Sequence, residues 1–213
     1  LDYSAPLSSA EMPVPQIRIE PMDDGQIERF LKLYSPRHGD AIWQVVRQSD
    51  DLALVRNPFF ARLIVDQVDS NERIPVGRSE VMTGFVRRAL RRELERDTRS
   101  LVTTTVLTER DRRSLIQARR PGLDRSLPCD GPLIPGLERL ATGMQHDEYT
   151  SAARQVVVSV DEAREFVGAA GADEVLAAAN DLGLTDEDLG GQSIMFRHQL
   201  FQEYFAARVQ ARE

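Results

Sequence analysis

The sequence predicts a mainly α-helical chain, a helical module followed by a second module in which helices are joined by short strands. Apolar residues recur at i, i+3, i+4 and i+7 through most of the chain, whereas only Gln16 to Glu20, Gln155 to Val160 and Gln192 to Arg197 read as strands. The 213 residues, 41% hydrophobic and 29% charged, suit one domain or two small ones with a buried core, and exclude disordered and collagen-like classes.

Gln16 to Glu20 alternates polar and apolar side chains and is stopped by Pro21. Asp23, in capping-box spacing with Gln26, precedes a helix with Ile27, Phe30, Leu31 and Tyr34 on one face, ending at Ser35-Pro36. A second helix is expected from Asp40 through Gln48, then a short turn around Leu52 to Val55. Asn57 as N-cap and Pro58 in the first turn start a helix that buries Phe59, Phe60, Leu63, Ile64 and Val68. Ser79 is expected to cap a long helix to about Asp97, with its arginines and glutamates on a solvated face laced with i, i+4 pairs.

Thr108 and Asp111 open a shorter helix to about Ala118, and the Pro- and Gly-bearing segment from Arg120 to Pro135 is the best candidate boundary. Beyond it Leu137, Leu140, Ala141 and Met144 mark a helix, Gln155 to Val160 is the strongest strand, and Ser159 with Glu162 forms another capping box. Helices follow over about Asp161 to Val167 and Ala172 to Leu182, the latter ended by Gly183. The strand Gln192 to Arg197 feeds a last helix with Leu200, Phe201, Tyr204, Phe205 and Val209 inward. Helix, strand, helix, helix, strand, helix is the order of a winged-helix domain.

A net charge of −7 argues against a protein that coats nucleic acid or anionic lipid. No apolar run approaches the roughly 18 residues of a membrane span, and no signal-peptide pattern opens the chain. The single cysteine, Cys129, rules out an internal disulfide and a thiolate metal site, so a reducing, cytoplasmic compartment is expected. Leu1 is not a methionine and the first residues run straight into a strand-like segment, which is the expectation for a piece of a longer protein.

Of the 27 basic residues only Lys32 is a lysine, and it sits mid-helix with no glycines before it. A P-loop needs Gly-x-x-x-x-Gly-Lys-Ser/Thr, in which the lysine bridges phosphates cradled by glycine-rich backbone, so these residues hold no Walker A motif. Gly168 to Gly171 (GAAG) lies between two helices and reads as a helix–helix turn. His38, His146 and His198 form no zinc-binding spacing; His38, His146 and the Cys129 thiol are expected to be solvated. Asp50-Asp51 and Asp186, Glu187 and Asp188 read as helix-start and loop charges. His198 differs, because it joins a strand to a helix N-terminus, where unpaired N–H groups attract phosphate, although spacing alone favours a structural histidine that caps the helix or plugs a core edge.

The segment Phe196 to Ala207 (FRHQLFQEYFAA) closely resembles the motif that ends the winged-helix domain of NACHT-type signal-transduction NTPases, the STAND class of AAA-related ATPases. Asn57 to Val65 (NPFFARLIV) is similar to that family's Asn-Pro helix in the helical lid, and Ile74 to Arg78 to the approach to its long helix. Leu1-Asp2-Tyr3 resembles the segment just past the sensor arginine, so the resemblance spans essentially the whole chain. It implies the end of an α/β NTPase core with its last strand over 1–22, a helical lid over 23–120, a linker over 121–132 and a winged-helix domain over 133–213.

In that family the lid proline packs against adenine and the winged-helix histidine contacts the β-phosphate of ADP. The resemblance thus places Pro58, with Asn57 beside it, and His198 at an ADP/ATP site whose magnesium the core supplies. It implies a bacterial switch in signalling or antiphage defence that self-associates through NTPase, lid and winged-helix surfaces, with no membrane partner. Walker A, Walker B and the sensor arginine are absent from these residues, so they alone are not expected to hydrolyse nucleotide. Alternatives are a winged-helix DNA-binding regulator, disfavoured because Ala172 to Leu182 carries Asp173, Glu174 and Asp181 and no basic residue, and a helical protein-interaction adaptor.

Overall fold

The computed structural model describes residues 20–49, 52–71, 74–75, 77–98, 101, 105–116, 126–145, 156–168, 171–188 and 190–211. These are mainly helical, with one small antiparallel sheet. Apart from Glu20, the expected strand over 16–20 lies outside the described residues, as does His146. The chain divides into two compact units, Leu1–Ile74 and Pro75–Glu213.

The first unit holds α1 (Asp24–Tyr34), α2 (Gly39–Val46), α3 (Leu52–Val55) and α4 (Pro58–Asn71). The expected capping box opens α1: Gln26 N–H donates to Asp23 Oδ1 at 2.8 Å, and Asp23 N–H to Gln26 Oε1 at 2.9 Å. α1 packs on α2 and α4, and α3 on α4, burying Ile27, Leu31, Ile42, Val55, Phe60 and Ile64. The α1–α2 corner is tight, because a Cβ on Gly39 would lie 2.6 Å from the Leu31 carbonyl oxygen. Lys32 stands on the surface and pairs with Glu28 at 2.8 Å and Asp40 at 3.0 Å.

His38 is half-buried and held, contrary to the solvated position expected from its polar neighbours. Its Nδ1 lies 3.1 Å from Asp69 Oδ1, to which the buried Ser35 hydroxyl also donates at 2.6 Å. The Ser35 hydrogen bond, then that of His38, holds the Asp69 carboxyl below its ordinary range.

The second unit comprises α5 (Gly77–Glu95), α6 (Glu109–Ile116), α7 (Leu133–Gly143), β1 (Val157–Ser159), α8 (Val160–Val167), α9 (Ala172–Asp181), β2 (Thr185–Glu187), β3 (Ser193–Phe196) and α10 (Gln199–Gln210). α7 is its centre, packing against α8, α9 and α10. The sheet order is β1-β3-β2, with Val158 opposite Ile194 and Thr185 opposite Phe196. The Ser159–Glu162 capping box is present, and positive φ at Gly168 and Gly171 brackets the α8–α9 turn.

Three expectations need correction here. Asp186 and Glu187 belong to strand β2 and not to a loop or helix start; their alternation is too short to read in sequence, and β2 exists because β3 pairs with it. Ser79 does not cap α5, which already begins at Gly77. Nor is the charged face of α5 wholly solvated, since Arg87 and Glu93 are 5% and 6% exposed. Arg87 donates to the carbonyls of Ser114 and Ser126, while Glu93 accepts from Thr98 and Arg92, each at 2.7 Å.

Residues 126–132, the described part of the expected linker, are tied down. Asp111, 2% exposed, accepts from Gly131 N–H at 2.7 Å and Asp130 N–H at 3.2 Å while forming a reciprocal cap with Thr108. Leu127, Pro128 and Gly131 are buried. The expected boundary at 121–132 therefore lies inside the second unit, where α6 packs on α5 and α5 on α10.

Candidate functional site

β3 ends at Phe196, and Arg197 N–H donates to the Leu184 carbonyl at 3.0 Å, which aligns the chain for a new helix. His198 is the N-cap of α10, in extended backbone (φ −141°, ψ 130°). Its Nδ1 accepts from Leu200 N–H at 3.3 Å, and its carbonyl accepts from Phe201 N–H at 2.9 Å. An accepting Nδ1 puts the proton of the neutral ring on Nε2. Burial lowers the His198 pKa from its ordinary 6.5, partly opposed by Glu203, so the neutral N–H tautomer is favoured.

α10 itself is fastened along its length. Phe201, 1% exposed, stacks on Phe85 of α5 with ring centroids 5.1 Å apart, and Tyr204 Oη lies 2.6 Å from Thr83 Oγ1. Arg208 Nε donates to Glu138 Oε1 of α7 at 2.8 Å, a pair whose glutamate is nearly inaccessible. Cys129 is drawn into the same cluster instead of standing in solvent: its thiol donates to the Leu127 carbonyl at 3.3 Å, and Arg208 Nη2 lies 3.7 Å from its sulfur.

In the first unit, Asn57 and Pro58 meet at the start of α4 as the sequence predicts. Asn57 Oδ1 accepts from Phe59 N–H at 2.9 Å and its carbonyl from Ala61 N–H at 3.1 Å, while Pro58 is exposed at the first helical position. Pro58 and Asn57 thus lie in one unit and His198 in the other.

Pro58 presents an exposed apolar ring at the start of α4, and the neutral His198 ring carries its proton on Nε2. The Asn57 side-chain oxygen is engaged by the helix start. The first N–H groups of α10 are likewise partly engaged, by His198 itself. Among the described residues no group of three or more His, Cys, Asp or Glu side chains could hold a metal ion.

Ser35, His38 and Asp69 make a Ser-His-Asp trio in composition only. Ser35 is buried, and its hydroxyl donates to the carboxylate and not to the imidazole, so nothing there activates a nucleophile. The residues of α5 that fasten α10, Phe85 and Thr83, are not identified as its partners in the sequence. Their side of α5 was legible as apolar, but its partner 116 or more positions away has no local signal. Comparison with family models, with curated proteins and with solved structures finds no match for this chain.

Proposed function

We propose that this chain is the lid and winged-helix part of a NACHT-type STAND NTPase, a cytoplasmic nucleotide switch whose P-loop core supplies the magnesium and the hydrolytic groups. The observation that carries this is His198: within a twelve-residue segment resembling the family's motif, it caps a helix directly after a strand with its proton on Nε2. A neutral imidazole there donates one hydrogen bond to the terminal phosphate of ADP and so favours the diphosphate-bound, resting form. The strand–helix order and the β1-β3-β2 sheet support a winged-helix assignment, and the exposed Pro58 at the start of α4 supports an adenine contact. Asp173, Glu174 and Asp181 stand exposed on α9, which speaks against DNA as the partner of that helix.

The test is nucleotide content. A full-length protein that includes the P-loop core is purified and its bound ADP quantified by chromatography after denaturation. His198→Ala is expected to weaken ADP retention by about tenfold or more, the worth of one hydrogen bond to a charged group at ~1.5 kcal/mol. Unchanged ADP content would remove His198 from the nucleotide site. Pro58→Gly should lower affinity for ATP and ADP alike without unfolding α4.

A further inference from the structure

We infer that Phe85 of α5 is a positioning residue for His198, so that the nucleotide-reading end of α10 is set from α5. This rests on the reading of His198 given above, and deepens it by naming what controls the ring. Hydrogen bonds tie His198 into the first turn of α10, from Leu200 N–H to its Nδ1 and from Phe201 N–H to its carbonyl. That turn is located by the Phe201 side chain, which is fully buried and stacks on Phe85 at 5.1 Å with an interplanar angle of 30°. One helical turn further on, the Tyr204–Thr83 hydrogen bond joins the same two helices.

Phe85 acts on the histidine through its stack on Phe201. Moving α5 relative to α10, or removing the Phe85 ring, lets the first turn of α10 shift and loosens the Leu200 N–H bond that fixes the His198 tautomer. The arrangement gives α5, which the resemblance assigns to the lid, a direct mechanical hold on the histidine of the winged helix. Nucleotide reading and α5 placement then become one event, coupled in both directions.

The experiment follows His198 itself, in this chain, by imidazole ¹⁵N chemical shifts and by amide hydrogen exchange at Leu200, with Val175 in α9 as an internal reference. Phe85 is only half-buried, so Phe85→Ala is compatible with a folded chain, and Phe85→Leu retains the volume without the flat ring. Phe85→Ala is expected to speed exchange at Leu200 by about tenfold while Val175 is unchanged, and to move the His198 nitrogen shifts toward a mixture of tautomers. Phe85→Leu should do the same to a smaller extent, and Phe85→Tyr should restore the wild-type shifts. Unchanged His198 shifts, or equal acceleration at Leu200 and Val175, overturns the positioning role. The two readings fail separately: if Phe85→Ala moves His198 while His198→Ala leaves ADP content unchanged, the positioning stands and the phosphate contact falls.

Discussion

Removing the Asp111 carboxylate tests whether 126–132 is a fixed part of the second unit. Oδ2 of Asp111 accepts from Thr108 N–H at 3.0 Å, Thr108 Oγ1 at 2.8 Å and Gly131 N–H at 2.7 Å, and Oδ1 from Asp130 N–H at 3.2 Å. In Asp111→Ala the Thr108 hydroxyl can rotate and the exposed Asp130 can meet water, but two backbone donors lose a charged acceptor. Gly131 packs closely on this part of the chain, where any added Cβ would lie 2.5 Å from the Val106 carbonyl oxygen. Two charge-assisted hydrogen bonds at ~1.5–3 kcal/mol each give a loss of about 3 to 6 kcal/mol, and a melting temperature lower by about 10 °C. Asp111→Asn keeps one acceptor and should cost about 1 to 2 kcal/mol. Urea unfolding followed by circular dichroism measures both. A loss within about 0.5 kcal/mol for the alanine variant would refute the claim that this carboxylate anchors the segment.

Asn57→Ala removes the α4 cap and should lower stability by about 1 kcal/mol in the same assay, with Asn57→Ser close to wild type. Arg208→Ala leaves the Glu138 carboxylate buried without its guanidinium and should cost about 3 to 5 kcal/mol; a neutral outcome would mean that Glu138 finds another partner. The lowered His198 pKa means that the folded chain prefers the neutral ring. Its contribution to stability is complete above the ordinary value of 6.5 and is lost as pH falls from there through the lower folded value. His198→Asn, which can still cap, should flatten the fall in melting temperature below that pH; an unaltered slope would show that another group titrates there.

Local chemistry was legible and distant pairing was not. The capping boxes at Asp23 and Ser159, the Asn57-Pro58 start of α4 and the Thr108–Asp111 pair were all visible because a cap and its partner lie within three residues. β2 was invisible because three residues, Thr185, Asp186 and Glu187, show no usable alternation, and only pairing with β3 makes them a strand. Buried charge was equally hidden. Arg87, Glu93, Glu138 and Asp111 follow the polar pattern of surface residues, and what draws them inward is a carbonyl, hydroxyl, backbone amide or guanidinium far along the chain or across a turn. His198 was legible as a helix start, while the hand that holds it, Phe85, was legible only as another apolar residue on α5.

The small sheet carries a consequence for the order of folding. β2 and β3 are joined by a short loop in which Asp188 Oδ1 accepts from Gln192 N–H at 2.7 Å and Ser193 N–H at 3.1 Å, so this hairpin can close early from local contacts. β1 must arrive from across α8 and α9, with Val157 pairing to Met195, and three-residue strands have no stability without the helices beneath them. Closure of the sheet is therefore a late event that waits on α8 and α9. Because β3 runs straight into His198, the Arg197 N–H bond to the Leu184 carbonyl, made on the β2 side of β3, sets the start of α10 when that hairpin closes, ahead of β1.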